Sequence, residues 1–432
     1  MHIRLLVILL LVLCTASAPV FAQVEGTLRK VVIVSRHGVR TPLGTTDELA
    51  NWAAQPWPVW QQAAGALTPR GAQLATIMGR WYRDYLGAQG ALPAAGCPPS
   101  GSVFVRADVT ERTRATAQAL IDGFAANCNI TVRTRGDVPL DPLFHPLSAG
   151  VCKLDTATAQ ARVLERAGGD LDRVARELKS AFVTLQSVLE CCRPALCAAF
   201  GRGERCGLAD LPTKLSPRPE GGGLAMVGAL PIASTTSEIL LLEYADGLPM
   251  ADVGWGRVTS DKLTETLRLH TEYYDLIERT PYLARKMGSA LLTRVAAAVT
   301  GAGQPSFGAS EGAMQDAKFV AFVGHDTNIW NLAGMIDASW LQPGYQRNQT
   351  PPAGALMFEV RESKDGKLLV YATYVAQSLE QMRNATPLTG DVKPLKTPLK
   401  IPACSSAEPG FPCTIEEFAV AIRNSVDRDC VE

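Results

Sequence analysis

The sequence predicts an α/β protein: a mostly parallel sheet flanked by helices, with a mainly helical cap domain inserted into it. Three observations carry that prediction. Val31–Val34 and Phe319–Val323 are short apolar runs with the look of strands buried on both faces. Helical patterns alternate with such runs, as they do around a parallel sheet. The middle of the chain reads as helical, so residues 23–152 and 278–432 form the α/β core and residues 153–277 the cap.

In chain order, Met1–Arg4 carries one positive charge and Leu5–Leu13 is an unbroken apolar run. Val20-Phe21-Ala22 then places small residues at −3 and −1 of a cut before Gln23, so residues 1–22 read as a signal peptide. The Val31–Val34 strand runs into a loop punctuated by Gly38 and Pro42. Residues 87–101 form a Gly- and Pro-rich surface loop, Val103–Val105 a short strand, and Thr113–Phe124 a helix. Residues 156–190 look helical throughout, and Gly221–Gly223 is a flexible joint. Ser260 caps a helix whose Leu263, Leu267, His270, Tyr274 and Ile277 share one face. Thr280-Pro281 starts another helix, which stops at Gly301. Leu356–Val360 and Leu368–Val375 flank an Asp365-Gly366 turn and form a hairpin.

Composition narrows the function. The 432 residues carry 42 Lys+Arg against 42 Asp+Glu, and 47% are hydrophobic. A zero net charge without basic runs argues against nucleic acid or an anionic membrane as a partner. No apolar stretch past residue 22 is long enough to span a membrane. Of the 11 cysteines, Cys14 leaves with the signal peptide, and an even number remains in an exported chain. That favours disulfides over zinc, since no Cys-x-x-Cys pair occurs. A monomer in the periplasm or outside the cell is expected.

Chemistry concentrates at strand ends. Arg36-His37-Gly38-Val39-Arg40-Thr41-Pro42 follows the first strand, on the edge where open α/β sheets bind ligands. Two guanidiniums beside one imidazole disfavour a charged histidine unless a dianion sits among them. Arginine matches phosphate oxygens, and a neutral imidazole can attack phosphorus. Gly324-His325-Asp326-Thr327-Asn328 follows the Phe319–Val323 strand. Asp326 can cap the next helix or act as a general acid, and His325 can donate to a phosphate oxygen. Asp108-Val109-Thr110-Glu111-Arg112 follows the Val103–Val105 strand, and Arg112 either completes a cationic cradle or forms a local ion pair. His270 and His145 read as structural.

These residues make the chain resemble the histidine acid phosphatases, most closely the bacterial periplasmic phytases and glucose-1-phosphatases. Leu67-Thr68-Pro69-Arg70-Gly71, Asp141-Pro142-Leu143-Phe144, Gly254-Trp255-Gly256-Arg257 and Gln381-Met382-Arg383 extend the similarity over the chain. The resemblance implies hydrolysis of phosphate monoesters through a phosphohistidine, with no metal and no organic cofactor. His37 would be the nucleophile and Asp326 the proton donor. Arg36, Arg40, Arg112 and His325 would clamp the phosphoryl group, with Asp108 and Glu238 near the substrate pocket. It also implies disulfides Cys97–Cys128, Cys152–Cys430, Cys197–Cys206 and Cys404–Cys413, leaving Cys191 and Cys192 without an assigned partner. Phytases of this type carry Thr-Lys where Leu43-Gly44 stand here, a departure toward the glucose-1-phosphatases. Thr327 leans the other way. Phytate or a sugar phosphate is the expected substrate; a mutase-like phosphotransferase and a non-catalytic anion-binding protein are the competing functions.

Overall fold

The first strand, β1 (Thr27–Arg36), is buried from Lys30 to its end, so its side chains must be covered on both faces. They are, in alternation. Val31 and Ile33 pack into a core with Leu74, Met78 and Leu120, whereas Val32 and Val34 pack into a second core with Leu292, Val295 and Trp330. Burying each such side chain contributes about 1.5–3 kcal/mol relative to leaving it exposed. The computed structural model describes residues 26–44, 46–218, 222–301 and 312–431, so the expected signal peptide and Gly221 lie outside the described residues.

After β1 come α1 (Thr46–Ala50), α2 (Pro69–Ala88), β2 (Val103–Ala107), α3 (Glu111–Phe124) and β3 (Val132–Arg133). The helices α4 (Thr156–Arg166), α5 (Leu171–Glu177), α6 (Lys179–Leu189) and α7 (Pro194–Ala199) lead to an antiparallel hairpin of β4 (Lys214–Pro217) and β5 (Leu224–Val227). Next are α8 (Ala229–Ala245), α9 (Ser260–Ile277), α10 (Pro281–Thr300) and α11 (Gly312–Asp316). The chain continues through β6 (Phe319–Gly324), α12 (Asp326–Met335), β7 (Ala355–Glu362) and β8 (Leu368–Ala376). It ends with α13 (Leu379–Asn384), β9 (Leu395–Leu399), β10 (Cys413–Thr414) and α14 (Ile415–Ser425).

The main sheet runs β10-β8-β7-β1-β6-β2-β3, with β9 on β8. Strands β1, β6, β2 and β3 are mutually parallel, and β7 through β10 extend the sheet antiparallel from β1. The carboxyl ends of β1, β6 and β2 therefore share one edge. The register continues past the strands: His37 N–H donates to Gly324 O at 2.9 Å, and Asp108 N–H to Val323 O at 3.0 Å.

Helix α2 presses directly on the loop after β1. Thr68 caps the helix by accepting from Gly71 N–H at 2.9 Å, and its own N–H donates to Val39 O at 3.0 Å. A Cβ on Gly71 would lie 2.2 Å from Val39 O, so only glycine lets the loop rest there. The α2–α3 pair is equally close, since a Cβ on Gly79 would lie 2.0 Å from Leu120 O.

Several elements differ from the sequence reading. The 156–190 stretch is three helices, broken first where Gly168 and Gly169 take φ of +71° and +86° and again at Leu178. Thr259, one residue earlier than Ser260, caps α9 by accepting from Lys262 N–H. Of the expected glycine-rich joint, Gly222 and Gly223 lead directly into β5 of the β4–β5 hairpin. Helix α8 is buried nearly all round and shows no amphipathic stripe. Disulfides link Cys97–Cys128, Cys152–Cys430, Cys197–Cys206 and Cys404–Cys413, and Cys191 is bonded to Cys192. Among the described residues, no helix is long and apolar enough to cross a membrane.

Candidate active site

The shared strand edge gathers the three sequence motifs, and Arg36, His37, Arg40, Asp108, His325 and Asp326 are almost wholly buried there, with Arg112 partly so. His37 sits at the centre, 2% exposed. Its Nδ1 lies 2.8 Å from Gly38 O, and a carbonyl can only accept, so Nδ1 carries the proton. Nε2 is left as the lone-pair nitrogen. Burial, together with Arg36, Arg112, Arg40 and His325, holds the imidazole well below its ordinary pKa of 6.5. His37 is thus a neutral base with a fixed tautomer.

Three guanidiniums surround it. Arg36 donates to Thr350 O at 2.6 Å and to Glu238, and lies 3.1 Å from Asp326 Oδ2. Arg40 donates to Glu238 Oε2 at 2.7 Å and to Thr41 O at 3.1 Å. Arg112 donates to His325 Nδ1 at 3.2 Å. Among the described residues, Nε of all three is buried without a hydrogen-bond partner. Since each carries an N–H, the cradle retains unsatisfied donors.

The counter-charges come from three elements. Glu238 projects from α8 and joins Arg36 to Arg40; burial alone would raise its pKa, but Arg40 and Arg36 hold it well below the usual carboxylate range. Asp108 follows β2. Burial pushes its carboxyl up, yet hydrogen bonds from His145 and His325 more than offset this and hold it low. Asp326 opens α12, with Oδ1 accepting from Thr327 N–H at 2.9 Å and Oδ2 near Arg36. His325 precedes it as the N-cap residue, and its backbone N–H donates to Asn328 Oδ1 at 2.9 Å. Burial lowers the His325 pKa to about 4 in spite of Asp108. Its ring meets His37 edge-on at 5.6 Å between centroids.

Every site residue expected from the sequence reaches this cluster, Asp108 and Glu238 included. Two residues read as structural also arrive here. His270 of α9 is buried, with Nδ1 3.2 Å from Ser234 O and Nε2 unpartnered. Its ring packs on Tyr274 and Trp330, and it comes within 4.8 Å of Glu238 and Asp326. His145, in the turn after Asp141, approaches Asp108 Oδ2 at 3.3 Å. A periodicity argument places His270 on the buried face of its helix without saying what lies opposite. The Glu238–His270–Asp326 and Asp108–His145–His325 groups have the donor types of a cation site. Their carboxylates, however, are already engaged by Arg36, Arg40 and the imidazoles.

The mouth of the cradle is apolar on one side. Leu43 is 57% exposed, and a Cβ on Gly65 would lie 2.7 Å from Leu43 and 3.8 Å from Arg112 Nη1.

Comparison with known proteins agrees with this geometry. The family model "Histidine phosphatase superfamily (branch 2)" matches residues 27–199 and 233–376. The phytase AppA of Escherichia coli is 37% identical over 422 residues, covering 96% of each chain. A glucose-1-phosphatase of Salmonella typhimurium is 28% identical over 414 residues, 93% of this chain and 94% of that one. Among solved structures, the apo phytase of Hafnia alvei superposes with a TM-score of 0.87 at 34% identity, over 96% of this chain and all of that one.

Proposed function

Because this chain belongs to branch 2 of the histidine phosphatase superfamily, we propose that it hydrolyses phosphate monoesters through a phosphohistidine on His37. The observation that carries this reading is the neutral His37, its Nδ1 proton tied to Gly38 O and its Nε2 free among three arginines. The substrate dianion binds Arg36, Arg40 and Arg112, which supply the donors that developing phosphoryl charge requires, and His325 joins them where acid pH or the bound dianion protonates its Nδ1. Nε2 of His37 bonds to phosphorus as the ester oxygen departs, and Asp326 transfers its proton to that oxygen. Water then attacks the phosphohistidine, Asp326 takes up a proton, and phosphate leaves. No step calls for a metal or an organic cofactor. Residues 153–277 act as a cap that lends Glu238 and His270 to the site.

Phytate and sugar phosphates are the substrates we favour. The phytase of Hafnia alvei has been solved with myo-inositol hexakis sulphate, and it superposes on this chain with a TM-score of 0.85 at 34% identity. The exposed Leu43 at the mouth favours the second of these, since it offers no charge to an additional phosphate. Residues 1–22 and five disulfides support export. The test is phosphate release from phytate, glucose 1-phosphate and p-nitrophenyl phosphate between about pH 3 and 8. Tight phosphate binding without cleavage of any ester would make the protein an anion binder. Phosphoryl transfer between phosphoglycerates without release would make it a mutase.

A further inference from the structure

His145 belongs to no step of that reaction, yet its placement is too well supported for an incidental loop residue. Asp141 organises the turn that carries it. Asp141 Oδ1 accepts from Leu143 N–H at 3.0 Å, its Oδ2 from Arg106 of β2 at 2.7 Å, and its carbonyl from His145 N–H at 2.9 Å. Phe144 O accepts from Asn328 Nδ2 at 2.9 Å, which ties the same turn to α12 and so to His325. The imidazole is thus positioned by β2 and α12, two of the elements that build the site. Its ring lies 5.0 Å from that of His325, and about a quarter of the side chain is exposed at the rim.

We infer that His145 is a positioning residue: it shares one oxygen of Asp108 with His325, and this bridged carboxylate fixes which nitrogen of His325 faces the phosphoryl group. Asp108 Oδ2 lies 2.8 Å from His325 Nε2 and 3.3 Å from His145 Nε2, while Oδ1 is buried with no partner. An ionised carboxylate only accepts, so both imidazoles present Nε2–H to it. The lone pair of His325 is then on Nδ1, toward Arg112. Any proton that His325 gains goes to Nδ1, the side on which the arginines hold phosphate. The charged and titratable groups facing Asp108 are His145, His325 and Arg112. His145 supplies one of the two imidazole hydrogen bonds that keep this buried carboxyl ionised against its own desolvation.

This inference rests on reading His325 as a phosphate ligand, and the experiment separates the two. Full-length wild type, His145→Leu and His145→Gln are compared by kcat and KM against pH with p-nitrophenyl phosphate, and by phosphate binding in calorimetry. Leucine removes the donor, whereas the glutamine amide can place an N–H near the position of Nε2. His145→Leu is expected to weaken phosphate binding and raise KM by about tenfold, the worth of one charge-assisted hydrogen bond. With one imidazole left, Asp108 becomes easier to protonate, so the acid limb of kcat/KM moves toward neutrality. His145→Gln is expected to recover most of the binding and return the limb. An unmoved limb and KM in His145→Leu, or a glutamine variant no better than leucine, overturns the inference while leaving the site's reading intact. Wild type that neither binds phosphate nor releases it from the ester overturns both.

Discussion

Glu238→Gln perturbs the cradle most selectively, because Glu238 is the carboxylate that joins Arg36 to Arg40. The replacement keeps the side chain's shape and one acceptor oxygen but removes its charge. The Arg36–Glu238–Arg40 group then carries one more net positive charge than in wild type. Breaking a buried ion pair from one side costs about 3–5 kcal/mol, and the retained hydrogen bond places this case near the lower figure. For a chain of 432 residues, about 3 kcal/mol set against roughly 2 cal/mol/K of unfolding entropy per residue lowers Tm by about 3–4 °C. Phosphate reverses the comparison. In wild type the incoming dianion competes with Glu238 for two guanidiniums; in the variant it does not. The variant is therefore expected to bind inorganic phosphate at least about tenfold more tightly, a gain of about 1.4 kcal/mol. Saturating phosphate at about 100 times Kd adds about 2.7 kcal/mol to whichever form binds it. Thermal melts across a phosphate titration read both quantities. The ligand-free variant should melt below wild type, and the gap should narrow as phosphate is added. A gap that widens would mean that Glu238 assists phosphate binding, and the charge-balance argument would fail.

Four further outcomes follow from the same geometry. Asp326→Asn should slow sugar or inositol phosphates far more than p-nitrophenyl phosphate, whose leaving group needs little protonation; equal slowing would remove Asp326 from the proton-donor role. The buried histidines should withdraw stability as pH falls from about 6.5 toward about 4, since His325, at about 4, and His37 and His270, also lowered, bind fewer protons folded than unfolded across that window. Glu243, raised to about 8 by burial, acts in the opposite sense, so ligand-free wild type and His270→Gln are melted at several pH values: the variant should lose less stability on acidification than wild type, and an equal loss would refute this. Gly71→Ala, whose Cβ would meet Val39 O, should lower kcat/KM together with stability by about 1–3 kcal/mol. Gly79→Ala, which forces apart α2 and α3, should lower Tm while largely sparing kcat/KM at 25 °C.

The sequence made the strand-end motifs legible because their chemistry is local. Arg36 and His37 end one buried strand, His325 and Asp326 follow another, and the parallel pairing of β1 with β6 brings them together. The same logic reached Asp108 and Arg112 through β2. What it could not show arrives by tertiary packing. Helix α8 is buried nearly all round, so it lacks the periodic stripe that would mark it, and only family likeness points to Glu238. His270 was correctly placed on the buried face of α9, but its neighbours across that face are set by how α8 and α9 pack. His145 was missed because a histidine between Phe144 and Pro146 carries no local sign that the turn leads back to Asp108. The break between α4 and α5 depends on Gly168 and Gly169 adopting positive φ, which helical periodicity alone does not reveal.

The central claim is the covalent intermediate. Substrate bearing labelled phosphate, mixed with enzyme at acid pH and quenched within the first turnovers into alkali to preserve a nitrogen–phosphorus bond, should leave label on the peptide containing His37. The label should be absent from His37→Ala, a variant expected to fold. Turnover with label on a serine or an aspartate, or with no protein-bound phosphate at any quench time, would contradict the account.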